Sequence, residues 1–203
     1  MGLVVLTGGA RSGKSRMAQR LASDLQARGH AVTVIVFGVE ADAEMVSRIE
    51  RHRADRPEGF EVVEVDAGDD SWLAQLSGEQ AVLVDCLGSC VSGIMSSAWE
   101  ALRGDAPGAD ENTLLKPEYV DRVESAVARV VDALCAAKGA TIVVTNEVGE
   151  GVVPEWASAR LFRDLMGRSN SRLVANSDAG YLCVAGRAVD IRGLPGRIIW
   201  PED

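Results

Sequence analysis

Apolar residues along this chain follow two rhythms: short unbroken runs, and longer stretches in which they recur every three or four positions. Leu3–Thr7 is too apolar to alternate, which predicts a central parallel strand covered on both faces. Residues 14–28 place Met17, Leu21 and Leu25 at a spacing of four, a buried helical stripe that Gly29-His30 ends. The valine-rich residues 31–37 predict a second strand. From Asp42 the spacing is helical again, with Met45, Ile49 and His52 on one face, until Pro57 and Gly59 stop it. Residues 60–65 alternate like a half-buried or edge strand, and a short helix is expected near 72–76. Ala81–Asp85 reads as a third continuous apolar strand, closed by an acid.

Residues 92–102 predict a further helix. The Gly/Pro/Asp-rich stretch 104–110 reads as an exposed loop, either a lid or a linker. Pro117 opens a long helix with Val120, Val123, Val127, Val130, Val131 and Leu134 on its buried stripe. Residues 141–145 form a fourth apolar strand and run into a polar, glycine-containing loop over 145–155. A basic amphipathic helix follows, with Arg160, Arg163 and Arg168 set among Leu161, Phe162 and Leu165. Strands at 181–184 and 188–191 complete the pattern. Strands alternating with helices predict the α/β class: a mostly parallel sheet with helices on both faces, in one domain over residues 1–203.

One stretch in this pattern carries chemistry outright. Gly8-Gly9-Ala10-Arg11-Ser12-Gly13-Lys14-Ser15 lies between the first strand and the first helix, the setting of a P-loop phosphate cradle. Gly8, Gly9 and Gly13 let the backbone curl with its N–H groups inward, and the helix dipole adds partial positive charge. Lys14 is placed to reach the β- and γ-phosphates of a nucleotide, and the Ser15 hydroxyl to ligate Mg²⁺. Asp85 closes a buried strand, where a P-loop protein keeps its second Mg²⁺ partner; the N-cap of the following helix is its competing role. In an open α/β sheet the loops at the carboxyl ends of strands carry the site. The 145–155 loop therefore offers Glu147 as a second acid near metal or substrate, against a turn that only satisfies its own backbone. His52, flanked by Arg48, Arg51 and Arg53, is either a core or salt-bridged histidine or a nucleophile at a nucleotide phosphorus.

Composition narrows the partners. The net charge is −9 and no long basic run occurs, so nucleic acid and anionic membrane are not expected, and phosphate binding must rest on the local cradle. No apolar run approaches the ~18 residues of a membrane span, and residues 1–7 are too short for a signal peptide. Cys86, Cys90, Cys135 and Cys183 show no CxxC spacing and read as buried thiols of a reducing cytoplasm. The guanine-reading motif of regulatory GTPases is missing, which argues against a nucleotide switch.

Five segments together go further: GGARSGKS at 8–15, EMVSRIERHRADRP at 44–57, VLVDCL at 82–87, TNEVGEGVVPE at 145–155 and RLFRDLMGRSN at 160–170. In this order they resemble the bifunctional adenosylcobinamide kinase/adenosylcobinamide-phosphate guanylyltransferase family of cobalamin biosynthesis, nearly end to end. The resemblance implies phosphorylation of the aminopropanol hydroxyl of adenosylcobinamide by ATP or GTP. Transfer of GMP from GTP, through a guanylyl-histidine, then gives adenosylcobinamide-GDP. It also implies that His52 is the guanylylated residue, that the sheet is RecA-like, and that the chain assembles as a homotrimer. Arg48, one helical turn from His52 and able to hold a nucleotide phosphate against its imidazole, and Glu64 are expected in the nucleotide-binding set. The family pattern is broken at Arg51, where a second histidine is frequent, at Gly88 and Gly93, at Ser171, and in the loop 104–112. A P-loop small-molecule kinase without guanylyl transfer is the other enzyme these residues allow.

Overall fold

The computed structural model describes residues 2–38, 59–66, 68–105 and 116–196. Its strands are β1 (Leu3–Thr7), β2 (Val32–Phe37), β3 (Glu61–Val65), β4 (Ala81–Asp85), β5 (Thr141–Val144), β6 (Ala179–Val184) and β7 (Arg187–Asp190). Its helices are α1 (Lys14–Ala27), α2 (Leu87–Asp105), α3 (Pro117–Cys135) and α4 (Ala157–Asn176), with a 3₁₀ turn over Ser71–Ser77. The strands form one sheet in the order β3-β2-β4-β5-β1-β6-β7. Every pairing is parallel except β6 with β7. The mostly parallel α/β sheet expected from the apolar runs is therefore present.

The runs are continuous because both faces are covered. Successive strand side chains point to opposite faces, and the core divides accordingly. Leu3 and Val5, Val82 and Val84, and Val143 join the face packed by α2, α3 and α4, where Leu87, Val91, Val123, Leu134, Met166 and Leu173 are buried. Leu6, Val32 and Val34, Ala81 and Leu83, and Ile142 and Val144 face α1, against Ala18 and Ala22. Leu165, Leu173 and the Tyr119 ring, whose hydroxyl donates to the Met95 carbonyl at 3.0 Å, knit the three helices of the first face together.

Some boundaries differ from the sequence pattern. The helix expected at 92–102 runs over Leu87–Asp105, so Gly104 belongs to it and not to the loop. Gly88, Ser89, Ser92 and Gly93 are poor helix formers and hide its start, but burial of Leu87, Val91, Ile94 and Met95 outweighs propensity. The strand expected at 181–184 begins at Ala179, and the last strand is shifted to Arg187–Asp190. The alternating segment 60–65 is, as expected, the edge strand β3. The helical spacing from Asp42 and most of the 104–110 stretch fall outside the described residues.

Candidate functional site

Parallel strands bring their carboxyl ends to one edge of the sheet, and three of these ends meet. β1 leads into the glycine-rich loop, β4 ends on Asp85, and β5, lying between them, leads into Thr145-Asn146-Glu147. The loop takes its curvature from residues that accept unusual backbone angles: φ is 147° at Gly8 and 97° at Gly13, and Arg11 is left-handed at 57°. Gly13 is the N-cap of α1, and neither a capping side chain nor a first-turn acid occupies that end. The first-turn N–H groups are thus left for an acceptor from outside the helix.

Lys14 is buried over the loop. Its ammonium donates to the Gly8 carbonyl at 2.8 Å, the Gly9 carbonyl at 2.7 Å and Ser12 Oγ at 3.5 Å. Ser15 Oγ donates to Asp85 Oδ1 at 3.1 Å. α2 opens at Leu87, so Cys86 and not Asp85 holds the capping position, and the Asp85 carboxylate turns to the cradle. A hydroxyl and a carboxylate oxygen side by side are donor types that suit Mg²⁺, which takes few protein ligands and completes its shell with phosphate and water. Among the described residues no cluster of three His, Cys, Asp or Glu forms a fuller metal cage.

The loop after β5 is tied to the cradle through its backbone. The Glu147 N–H donates to the Gly8 carbonyl at 3.0 Å, and the Thr145 N–H to Leu6 at 2.9 Å. The Glu147 carboxylate accepts from the Gly149 N–H at 2.8 Å, so this acid also shapes its own turn. Asn146 turns its amide into the space beside Gly88, where a Cβ would lie 2.9 Å from Nδ2. The departure at Gly88 is thus matched by a polar side chain from the neighbouring loop. Arg160 holds the Pro154 and Glu155 carbonyls and Arg163 those of Gly151 and Val152, while Arg168 pairs with Glu124 of α3. The arginines of α4 therefore staple the loop and the neighbouring helix.

The other side of the cradle is buttressed by the β6–β7 hairpin. Its two-residue turn has positive φ at both Ala185 and Gly186, the backbone that suits the strand twist. The Gly186 N–H donates to the Ser12 carbonyl at 2.9 Å. A Cβ on Gly13 would come within 3.2 Å of Gly186 Cα, and one on Gly8 would collide with the Cys183 carbonyl. Behind the cradle, burial pushes the Cys183 thiol up, with Lys14 opposing the shift. Burial likewise pushes Cys90 up to about 12. Cys86 and Cys135 are only partly buried, unlike the expectation for all four thiols, and all four are free.

The structure thus brings together Gly8, Gly9, Ala10, Arg11, Ser12, Gly13, Lys14, Ser15 and Asp85, with Glu147 attached through its amide. Glu64 lies on β3, four strand spacings or about 19 Å from β1, and is not part of the cradle. His52 and Arg48 lie outside the described residues. Two contributors carry no assigned role in the sequence expectations. Asn170 closes the 160–170 segment that carries the family resemblance, and it sits on the buried face of α4 as a polar residue between Met166 and Leu173 in an apolar stripe. Gly186 leaves a fainter mark, as the glycine of a two-residue turn.

A mostly parallel sheet whose first strand feeds a glycine-rich cradle, faced by an acid from a neighbouring strand end, defines a P-loop α/β protein. Within that class the chain belongs to one family, described as CobU, cobinamide kinase / cobinamide phosphate guanyltransferase, whose profile matches residues 4–191. It is 35% identical to the bifunctional adenosylcobalamin biosynthesis protein CobU of Salmonella typhimurium, over 94% of this chain and 99% of that one. It is 34% identical to the protein of the same name from Escherichia coli, over the same shares. To the bifunctional adenosylcobalamin biosynthesis protein CobP of Pseudomonas aeruginosa it is 30% identical, over 94% of this chain and 98% of that one. No helix among the described residues is long and apolar enough to cross a membrane.

Proposed function

We propose that this chain carries out two consecutive transfers to a cobinamide. In the first, the aminopropanol hydroxyl of adenosylcobinamide attacks the γ-phosphorus of ATP or GTP in line. The bond to the bridging oxygen breaks, the nucleoside diphosphate leaves, and the hydroxyl proton passes to solvent. Backbone N–H groups of residues 8–15 and the Lys14 ammonium hold the polyphosphate and offset its charge. Mg²⁺ held by Ser15 and Asp85, with Glu147 as the further acid of the set, would add neutralisation of the phosphate oxygens. In the second transfer, the His52 imidazole attacks the α-phosphorus of GTP and pyrophosphate leaves. A phosphate oxygen of adenosylcobinamide phosphate then displaces the histidine to give adenosylcobinamide-GDP. Imidazole suits this role as a neutral nucleophile near pH 7 and a good leaving group from a phosphoramidate. Arg48 and Glu64 belong to the nucleotide side of this second step.

The observation that carries this reading is the cradle itself, with Lys14 and the Ser15–Asp85 pair in hydrogen-bonding order, in a chain matched by the family over residues 4–191. The bifunctional names of the relatives favour two steps over a kinase alone. A homotrimer in the cytoplasm, with the whole chain acting as one catalytic domain, completes the proposal.

The test uses GTP labelled at the α-phosphate, with Mg²⁺ and without corrinoid. Acid-labile, base-stable label should remain on the denatured wild type and be lost in His52→Ala. Wild-type protein that binds GTP yet retains no label would leave only the kinase step.

A further inference from the structure

We infer that Asn170 is a positioning residue of the cradle, acting through the loop after β5. It is 6% exposed, and both ends of its amide are used. Oδ1 accepts from Thr145 Oγ1 at 2.6 Å, and Nδ2 donates to the Asn146 carbonyl at 2.9 Å. These two residues immediately precede Glu147, whose N–H donates to the Gly8 carbonyl at 3.0 Å. That same carbonyl accepts from Lys14 Nζ at 2.8 Å, so its acceptor capacity is filled. A connected strut therefore runs from the middle of α4, through Thr145 and Asn146, to the first peptide of the cradle.

The consequence follows from peptide geometry. A trans peptide points its N–H opposite its C=O. By fixing the Gly8 carbonyl, the strut also fixes the direction of the Gly9 N–H, one of the groups available to a phosphate. The far side of the cradle is set in the same manner but independently, because the Gly186 N–H holds the Ser12 carbonyl at 2.9 Å and so aims the Gly13 N–H. Glycines curl easily but hold no direction of their own. Two donors from outside the loop supply that direction, and Asn170 governs one of them.

The inference about turnover rests on the kinase reading above; the inference about geometry does not. Asn170→Asp keeps the acceptor for Thr145, loses the donor to Asn146, and sets a carboxylate against a carbonyl. Thr145→Val removes the other bond with little change of volume and serves if the first variant folds poorly. In full-length protein, the Glu147 amide should lose hydrogen-exchange protection in both variants while the Gly186 amide keeps its own. Phosphoryl transfer to cobinamide should fall roughly 10- to 100-fold in kcat, with the nucleotide KM within about threefold of wild type. The Asn170→Asp rate, relative to wild type at the same pH, should recover as the buffer is acidified, because the neutral acid regains a donor for Asn146. A Glu147 amide that stays protected, or joint loss at Glu147 and Gly186, overturns the strut. An unchanged kcat with altered exchange overturns its role in catalysis. If wild type fails to phosphorylate cobinamide, the functional reading falls, and the exchange comparison still decides the strut.

Discussion

At the scale of single residues, the cradle shows how a buried charge is accommodated. The Lys14 ammonium is desolvated, and three oxygens of its own loop accept its hydrogen bonds. Such a group costs several kcal/mol to bury unless it is hydrogen-bonded throughout. The carbonyls it binds have other donors: Glu147 N–H at Gly8, and Ser12 N–H at Gly9 at 3.4 Å. Lys14→Ala should therefore keep its fold, with a native far-UV circular dichroism spectrum, while phosphoryl transfer falls by roughly 10²-fold or more as charge stabilisation is lost. A variant that retains full turnover would remove Lys14 from the mechanism.

At the scale of elements, the loop is built by its neighbours. α4 pins the β5–α4 connection at three places, through Asn170, Arg163 and Arg160. The β6–β7 hairpin closes the opposite flank. Gly8 shows how tight that flank is: its φ of 147° and the nearby Cys183 carbonyl leave no room for a methyl group. Gly8→Ala should cost about 2 kcal/mol or more of unfolding free energy. Gly9→Ala, where a Cβ meets nothing within 4 Å, should stay within about 1 kcal/mol of wild type. Urea denaturation of the two variants side by side checks the contrast. Most elements were legible as local patterns, β1, β4 and α3 closely so, because apolar periodicity reports burial directly. The start of α2 was not legible, because its Gly and Ser residues carry low propensity and only packing against the sheet makes them helical.

At the scale of the whole molecule, strand order decides which acids meet the cradle. β5 lies between β1 and β4, and yet Asp85 reaches Ser15 across it, 70 residues along the chain. If this pair holds the Mg²⁺ of the phosphoryl donor, chelation should stop turnover and added Mg²⁺ restore it. Asp85→Asn should then raise the Mg²⁺ concentration needed for half-maximal rate by roughly 10-fold or more. An unchanged Mg²⁺ requirement would assign the ion to other groups, Glu147 first. The same strand order sets β3 and Glu64 four strands from β1, so a nucleotide contact by Glu64 belongs to a different part of the sheet edge.

The sequence by itself determined what contiguous residues can encode. A glycine-rich turn between an apolar strand and an amphipathic helix specifies a cradle, because turn, dipole and lysine all lie within eight positions. Alternation and continuous apolar runs specified edge and central strands, because burial on one face or two leaves a period in the chain. Tertiary structure alone decided the order of the strands, the approach of Asp85 to Ser15, the turn of Asn146 beside Gly88, and the strut from Asn170. These join residues from 24 positions apart, between Asn146 and Asn170, to 70 between Ser15 and Asp85, and the Glu147–Gly8 bond and the Gly8–Cys183 contact reach across most of the chain. No local period records such pairs, since each partner satisfies its own element equally well without the other. Only the closing of the sheet brings their polar groups within hydrogen-bonding distance.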